Sequence, residues 1–513
     1  MLEEAKEFYS KKIRTIDELQ VLLTHKQRNK RIVMCHGVFD IVHPGHVRHM
    51  IFAKSKGDLL IVSLTADKHI KKGATRPHVP EQLRAINLAA FEMVDYVLID
   101  QNAEPYENIK KIKPNYFAKG YEYVANNPKT IEEKQIVESY GGEMLFTPGD
   151  IVYSSSKWIE LSAPKIGDEK LMLLMENENI SFDAIHDAIC SLSGFKLHVV
   201  GDSIVDSYTQ CSMIGGMTKT PTMSVRYERR LDYIGGAAIV AKHLKAAGAE
   251  VVFSTVLGDD PFQELVLEDL RKAQVECIPY FDATRPTTQK NAIVVGDYRL
   301  LKIDTVDNRP ISDKALDMLI KGIATTKADG IVFSDFRHGI FNPTSIPKLI
   351  DAIPQGMFRV ADSQVASRWG NILDFPGFDL ITPNEREARF SLGDQDSIVR
   401  HLGETLFNQS QAKNLFLKLG DRGVLVFRKG LEHDSFFIDS FTDQAIDPVG
   451  AGDAMLAYAT LAFLRTKHVA MAAIIGSLAA ALECEREGNI PITPKEILDR
   501  LDSVKKRTNY ATI

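Results

Sequence analysis

The sequence predicts two successive α/β domains, the first a doubly wound sheet of parallel strands. Three observations carry that expectation. At 513 residues the chain exceeds what one ordinary hydrophobic core organises. Short apolar runs of strand length alternate with helix-length stretches along most of it. Two Gly-containing motifs, one directly after a strand and one directly before an apolar helix, stand where such sheets carry their ligands.

Taken in order, Arg31–Cys35 reads as a strand and Pro44–Lys56 as a helix. Leu59–Leu64 is a continuous apolar run and therefore a strand buried on both faces. Gln82–Met93 is an amphipathic helix, and Tyr96–Ile99, Asn115–Ala118 and Glu143–Phe146 complete a parallel set. This gives a domain over 1–162. The pattern loosens over 163–195, where Ala163-Pro164-Lys165-Ile166-Gly167-Asp168 reads as a linker and Asp183–Leu192 as a short helix. A second α/β series fills 196–513. Its strand segments include Lys196–Asp202, Ile331–Asp335, Arg359–Asp362, Leu380–Asn384 and Leu415–Gly420, followed by an apolar helical stretch over Ala454–Leu482. There is no short-period repeat or low-complexity tract.

Hydrophobic residues make up 44% and charged residues 25%, the balance of a globular protein. A net charge of −6 argues against a general nucleic-acid binder. No apolar run is long enough to span a bilayer, and the first residues lack a signal-peptide core, so no membrane partner and a cytoplasmic location are expected. The five cysteines, Cys35, Cys190, Cys211, Cys277 and Cys484, form neither a CxxC pair nor a metal-site spacing. Cys35 adjoins the first motif as a candidate reactive thiol, although a small buried strand residue is the favoured reading.

The first motif is His36-Gly37-Val38-Phe39-Asp40-Ile41-Val42-His43-Pro44-Gly45-His46. In-line attack on an α-phosphate builds negative charge on its equatorial oxygens. His43 and His46 flank Gly45, where the backbone can come close, and the following helix offers free N–H groups and a positive dipole end. Taken alone, the pair also fits ordinary loop histidines. Lys71-Lys72-Gly73-Ala74-Thr75-Arg76-Pro77 is a basic loop suited to phosphate oxygens, Arg84 lies on the next helix, and Ser154-Ser155-Ser156 opens the last helix of the domain. N-capping accounts equally for the serines.

With these stretches and Ala118-Lys119-Gly120-Tyr121-Glu122-Tyr123, residues 12–161 resemble the HxGH nucleotidyltransferases, in particular the adenylyltransferase half of the bifunctional ADP-heptose synthase family. The resemblance implies a Rossmann-like domain in which His43 and His46 stabilise the transition state. Lys72 and Arg84 would bind phosphates, Gly37 and Phe39 would line the nucleotide site, and Ser154, Ser155 and Ser156 would hold the triphosphate. Glycerol-phosphate cytidylyltransferases share HxGH but carry an Arg before their hydroxyl cluster, where this chain has Gly149-Asp150-Ile151-Val152-Tyr153. His36 stands where many heptose-type enzymes have Asn, which leaves the base open between ATP and CTP.

The second motif is Asp447-Pro448-Val449-Gly450-Ala451-Gly452-Asp453. Small residues at a helix start leave consecutive N–H groups open as an anion hole, and Asp453 is placed to take a proton from an acceptor hydroxyl. A Gly-rich helix cap would have the same sequence. Asp202 and Asp206, at a strand end, could hydrogen-bond sugar hydroxyls or form turns. Gly235 and Gly236 open a helix where a substrate could come close. Glu387, after Asn384, could hold Mg²⁺ through water, as could any charged helix start in appearance.

In this order, Gly201–Tyr208, Gly235–Ala238, Ser334-Asp335, Asn384–Glu387 and Asp447–Asp453 make residues 196–505 similar to the PfkB/ribokinase family, again nearest the kinase half of the ADP-heptose synthases. The resemblance implies a larger ribokinase-like domain. Asp453 would be the catalytic base, Gly420, Gly450, Ala451 and Gly452 would bind nucleotide, and Asp202, Asp206, Gly235 and Gly236 would bind the sugar. Asn384 and Glu387 would face Mg²⁺. Three features depart from the pattern: Ile239 where a sugar-binding Asn is usual, Asp362-Ser363-Gln364 for Asp-Pro-Lys, and the kinase half second rather than first.

The expected function is ATP-dependent phosphorylation of a sugar or sugar phosphate, then transfer of AMP or CMP to that phosphate. The partners are a small sugar phosphate and nucleoside triphosphates, with a homodimer suggested by family likeness. Two alternatives stay open: a CTP-dependent alditol or sugar-phosphate cytidylyltransferase with a fused kinase, and a chain in which one half has lost catalysis and serves to bind or dimerise.

Overall fold

The computed structural model describes residues 9–25, 30–42, 44–70, 77–120, 128–147, 167–215, 223–365, 371–430, 435–443, 445–486 and 488–510. The chain divides into two compact units, with the boundary between Ile166 and Gly167.

The first unit is built on five strands, β1 (Ile32–Gly37), β2 (Leu59–Thr65), β3 (Tyr96–Asp100), β4 (Tyr116–Gly120) and β5 (Glu143–Thr147). They are all parallel and lie in the order β3-β2-β1-β4-β5. The two faces of β1 feed different cores. Val33 and Cys35 join Leu60, Val62 and Leu88 on one side, whereas Ile32 and Met34 join Leu59, Ile61 and Phe117 on the other. Every residue of β2 is buried, as its unbroken apolar run requires. Burial pushes the Cys35 thiol up to about 12, so the cysteine is an inert strand residue. The helix expected over 82–93 spans Glu81–Ala89. Beyond it the chain turns so that Asp95 can accept from Leu60 N at 2.7 Å and pair with Lys54 at 2.5 Å.

Strand order reverses between β1 and β4. The crevice at such a switch point, beyond the carboxyl ends of the strands, is where doubly wound sheets bind ligands. The segment leaving β1 carries the first motif into the helix Pro44–Ser55, which has Pro at its first position, a favourable start.

The second unit has two sheets. Its strands are β6 (Lys196–Gly201), β7 (Ser203–Gly215), β8 (Ser224–Gly236), β9 (Glu250–Leu257), β10 (Glu276–Phe281), β11 (Thr288–Val295), β12 (Tyr298–Thr305), β13 (Gly330–Asp335), β14 (Phe358–Ser363), β15 (Leu380–Ile381), β16 (Asn414–Lys418), β17 (Val424–Arg428) and β18 (Ser435–Ile438). The main sheet runs β10-β9-β6-β13-β14-β15-β16-β17-β18. It is parallel from β10 to β16 and antiparallel thereafter. A four-stranded sheet, β12-β11-β7-β8, stands apart from it. The apolar tail forms two buried helices, Ala451–Thr466 and Val469–Cys484, which break at Lys467 with φ +54°.

The stretch read as a linker and short helix, 163–195, has more structure than that from Gly167 onward. The helices Gly167–Asn177 and Phe182–Cys190 bury Leu171, Leu174, Ile185 and Ile189 in the core of the second unit. The run Leu171-Met172-Leu173-Leu174-Met175 supplies the apolar stripe that draws the first of them in.

Candidate active sites

In the first unit, β1 ends at Gly37 and the chain turns through Phe39, which is buried with φ +49°. His46, on the first turn of Pro44–Ser55, meets the Phe39 ring edge-on at 5.2 Å. Asp40 anchors the opposite side of the loop by accepting from Val79 N at 2.9 Å. His36 is held between Ser63 Oγ (2.9 Å) and Thr65 Oγ1 (3.2 Å). Burial, with the nearby Lys119 charge adding, holds its pKa down to about 3, so the imidazole is neutral. His43, Lys72, Ser154, Ser155 and Ser156 lie outside the described residues.

Arg84 has a different role from the phosphate ligand expected of it. Its side chain is fully buried. Nε donates to Val79 O at 2.8 Å and Nη2 to Thr65 O at 3.0 Å, and the guanidinium also bonds Val38 O and pairs with Asp67. It joins the loop after β1, the end of β2 and the segment before its own helix. A guanidinium so engaged positions the site rather than meeting a substrate.

In the second unit, Gly450 adopts φ +86° immediately before Ala451–Thr466. A Cβ there would stand 2.9 Å from Glu483 Oε1 and 3.1 Å from Asn489 Oδ1. A Cβ on Gly452 would stand 3.1 Å from Lys418 Nζ, so Ala451, Gly452 and the helix start lie open toward that ammonium. Asp453 is buried, and its Oδ1 has no hydrogen-bond partner. Burial pushes its pKa well above the carboxylate range; Asp362, Asp206 and Glu483 push the same way, and Lys418 opposes them. Lys418 Nζ contacts Asp362 Oδ1 at 2.9 Å, and Thr382 Oγ1 donates to the same oxygen at 2.8 Å. Burial works against the Lys418 charge, but Asp362, Glu387 and Asp453 outweigh it and raise its pKa.

Asp206 receives a hydrogen bond from Asn489 Nδ2 at 2.8 Å. Gly235 is glycine because a Cβ there would lie 2.1 Å from Asp206 Oδ2. Gly236, with φ +65°, backs onto Asp202 O. Gly420 opens the turn between β16 and β17 with free space beside it.

One further expectation is corrected. Asp202 Oδ2 accepts the backbone N–H groups of Phe336 and His338, each at 3.2 Å, so this carboxylate folds the loop after β13 instead of facing a sugar. Asn384 and Glu387 form a reciprocal capping box: Asn384 Oδ1 accepts from Glu387 N (2.9 Å) and Glu387 Oε2 from Asn384 N (2.7 Å). Burial pushes Glu387 up to about 7, Asp362 adds, and Lys418 opposes. The box engages Glu387 through Oε2 alone, so it is separate from the expected contact with Mg²⁺ through water. Among the described residues no group of three or more His, Cys, Asp or Glu is arranged to hold a metal. The Arg337 guanidinium is paired with Asp335 and Asp374, both at 2.7 Å.

Lys418, Asn489 and Glu483 were not expected at the site. Lys418 is the one polar residue within the strand run Leu415–Leu419, and that position was the available signal. An amide does reach the sugar-side carboxylate, but from Asn489; Ile239 is wholly buried in the interior.

The second unit thus sets a buried carboxylate on a Gly-started helix beside a largely parallel α/β sheet, and a smaller five-stranded parallel domain precedes it in sequence. Residues 196–496 match the model of the pfkB family carbohydrate kinases, and 34–160 match that of cytidylyltransferase-like domains. The chain belongs to the pfkB carbohydrate kinase family. It is 42% identical over 136 residues to the bifunctional protein HldE of Pelobacter propionicus, covering 26% of this chain and 27% of that one. It is 26% identical over 310 residues to that of Helicobacter hepaticus, covering 59% and 63%. The chain thus spans between about a quarter and just under two thirds of the curated relatives it matches. Escherichia coli phosphofructokinase-2 crystallised with substrates and products aligns with a TM-score of 0.52 and 17% identity, over 61% of this chain and all of that one. Giardia lamblia ribokinase gives 0.50 and 17%, over 61% and 99%. These two structures share the ribokinase-like fold. No helix among the described residues is long and apolar enough to cross a membrane.

Proposed function

We propose that the chain makes a nucleotide-activated sugar in two steps. In the second unit, the acceptor hydroxyl of a sugar or sugar phosphate attacks the γ-phosphorus of ATP. The new O–P bond forms as the bond to the β–γ bridging oxygen breaks, ADP leaves, and Asp453 takes the hydroxyl proton. Lys418 and the N–H groups at the start of Ala451–Thr466 face the charge that develops on the transferring group. In the first unit, a phosphate oxygen of the product attacks the α-phosphorus of ATP or CTP and pyrophosphate leaves. His43 and His46 would donate to the equatorial oxygens. Heptose 7-phosphate, phosphorylated at its anomeric hydroxyl, is the acceptor we favour, because the relatives include bifunctional HldE proteins and a family model matches each half. Mg²⁺ would accompany the triphosphates as their counter-ion, and no step is assigned to it.

The observation that carries the reading is Asp453: a buried carboxylate with an unpartnered oxygen and a raised pKa, on the first turn of a glycine-started helix. A base poised nearer neutrality is what proton transfer in the transition state requires. The test is to incubate the full chain with heptose 7-phosphate, ATP and CTP and to identify products by mass. Formation of the bisphosphate and then its ADP adduct supports the reading. A CDP adduct moves it to the cytidylyl alternative, and no mass change on the sugar discards the heptose assignment. A homodimer is also proposed, since the four-stranded sheet exposes Tyr227, Tyr298, Leu301 and Ile303; light scattering of the purified chain reads it directly.

A further inference from the structure

Beside Asp206 the second unit carries an ammonium, Lys290, that stands in register between Asp206 and Asp304 without reaching ion-pair distance of either. Lys290 of β11 pairs across the sheet with Asp206 of β7, so the two side chains leave the same face. Its Nζ lies 5.4 Å from the centre of the Phe336 ring. Among the described residues it makes no hydrogen bond and no ion pair. Burial lowers its pKa, against the pull of Asp206. His338 stacks on the same Phe336 ring, with centroids 6.4 Å apart. Its Nδ1 faces Asn308 Oδ1 at 2.8 Å, and its buried Nε2 has no partner. Burial, with the charge of Lys290 adding, holds this imidazole down to about 3. With the proton on Nδ1, Nε2 is a hydrogen-bond acceptor.

A largely desolvated ammonium that makes no direct ion pair and a buried acceptor without a donor each leave bonding capacity unused. Together they are complementary to an anion carried on a polyol. Lys302 adds a second cation: it stands on the same face of the sheet, and both Lys290 and His338 feel its charge. Two lysines suit a dianion better than a single negative charge. We propose that Lys290 is the specificity-determining residue for a phosphorylated acceptor. Its ammonium binds the phosphate that the sugar already carries, while His338 Nε2 accepts from a sugar hydroxyl near Asp206. This rests on the kinase reading of the second unit and adds to it the chemical class of the acceptor.

The test uses the full chain and six- and seven-carbon sugar phosphates, each paired with its unphosphorylated sugar, with ADP release as the readout. In Lys290→Met the KM for the sugar phosphate should rise about 10- to 100-fold, the range expected when a hydrogen bond to a charged group is lost. The KM for the plain sugar should rise far less and the KM for ATP less than about two-fold, with Lys290→Arg recovering part of the loss. An equal rise for both members of a pair overturns the proposal, as does a wild-type chain that uses both equally well. No ADP from any sugar strikes the kinase reading itself. Lys290 is then decided by the thermal shift that the same sugar phosphates produce, and a shift kept in Lys290→Met overturns its role.

Discussion

Replacing Arg84 by Met separates the two roles this residue could have. The side chain is fully buried and holds three carbonyl oxygens, of Val38, Thr65 and Val79, together with the Asp67 carboxylate. Met keeps the bulk and removes every donor. Removing one partner of a buried charge pair costs ~3–5 kcal/mol, because the other is left uncompensated. For a unit of this size that lowers the melting temperature by roughly 10–15 °C. Arg84→Lys restores the charge but only one point of contact, so its stability should fall between those of the parent and the Met variant. The assay is thermal unfolding of the full chain, with nucleotidyl transfer and ADP release followed in parallel. The first unit should melt earlier and lose transfer on warming, while ADP release persists. A Met variant within about 1 kcal/mol of the parent in stability, but with a raised KM for nucleoside triphosphate, would refute this reasoning and return Arg84 to the substrate phosphates.

Asp453→Asn should lower the kcat of ADP release by about 10²- to 10⁴-fold, the contribution of a positioned base, and leave nucleotidyl transfer intact; retained kinase turnover would remove the proton-acceptor role. His46→Ala should do the converse, lowering nucleotidyl transfer by about 10²-fold with the kinase half unaffected. Gly235→Ala should raise the KM for the sugar acceptor more than that for ATP, because the new methyl group displaces the Asp206 carboxylate. Stability of the second unit should fall as pH rises from about 6.5 to about 8; below that the imidazoles of His198, His243 and His338, held down by burial to about 4, 3 and 3, offset the fall. Glu387, Asp335 and Glu483 have folded-state pKa values raised to about 7, 7 and 8, mainly by burial. The folded state therefore binds more protons than the unfolded chain, a contribution present in full at low pH and lost as pH passes those values. Glu483→Gln should flatten the slope, and a melting temperature that climbs over this range would contradict it.

The parallel strands were legible because they are continuous apolar runs, and both motifs lie next to such runs. Asp453 and Asp206 could be named for the same reason. The four-stranded sheet, with largely exposed and polar strands β8 and β12, was not read from the sequence. The misassigned residues are those whose local pattern had two meanings. Arg84 stands four residues before Leu88 and shares its buried stripe, which marked it as interior before any phosphate was invoked. Lys290 and His338 could not be found from neighbours in sequence, whereas Lys418 left one signal, a lone polar residue in an apolar strand run. Lys290 gains its meaning from register against Asp206 on another strand, and His338 from a loop folded by Asp202.

Asn489 shows how the two ends of the phosphotransfer site are tied together. Its Nδ2 donates to the Asp206 carboxylate, on the acceptor side, while its Oδ1 stands where a Cβ on Gly450 would come within 3.1 Å. Gly235 and Gly450 therefore serve one arrangement. The first lets Asp206 reach inward and the second lets the loop before Asp453 close against the same amide. Neither needs to wrap a phosphate for its lack of a side chain to matter. Substituting either presses on the Asn489 amide, at Nδ2 from Gly235 (2.7 Å) and at Oδ1 from Gly450 (3.1 Å), so acceptor recognition and the position of the loop before Asp453 should fail together. Asn489→Asp is the sharper perturbation, because it keeps the shape and sets a second carboxylate against Asp206. The like charges should raise the acceptor KM and lower kcat in the same variant, with Asn489→Ser milder on both. An effect confined to the KM for ATP would show that the amide does not join the two.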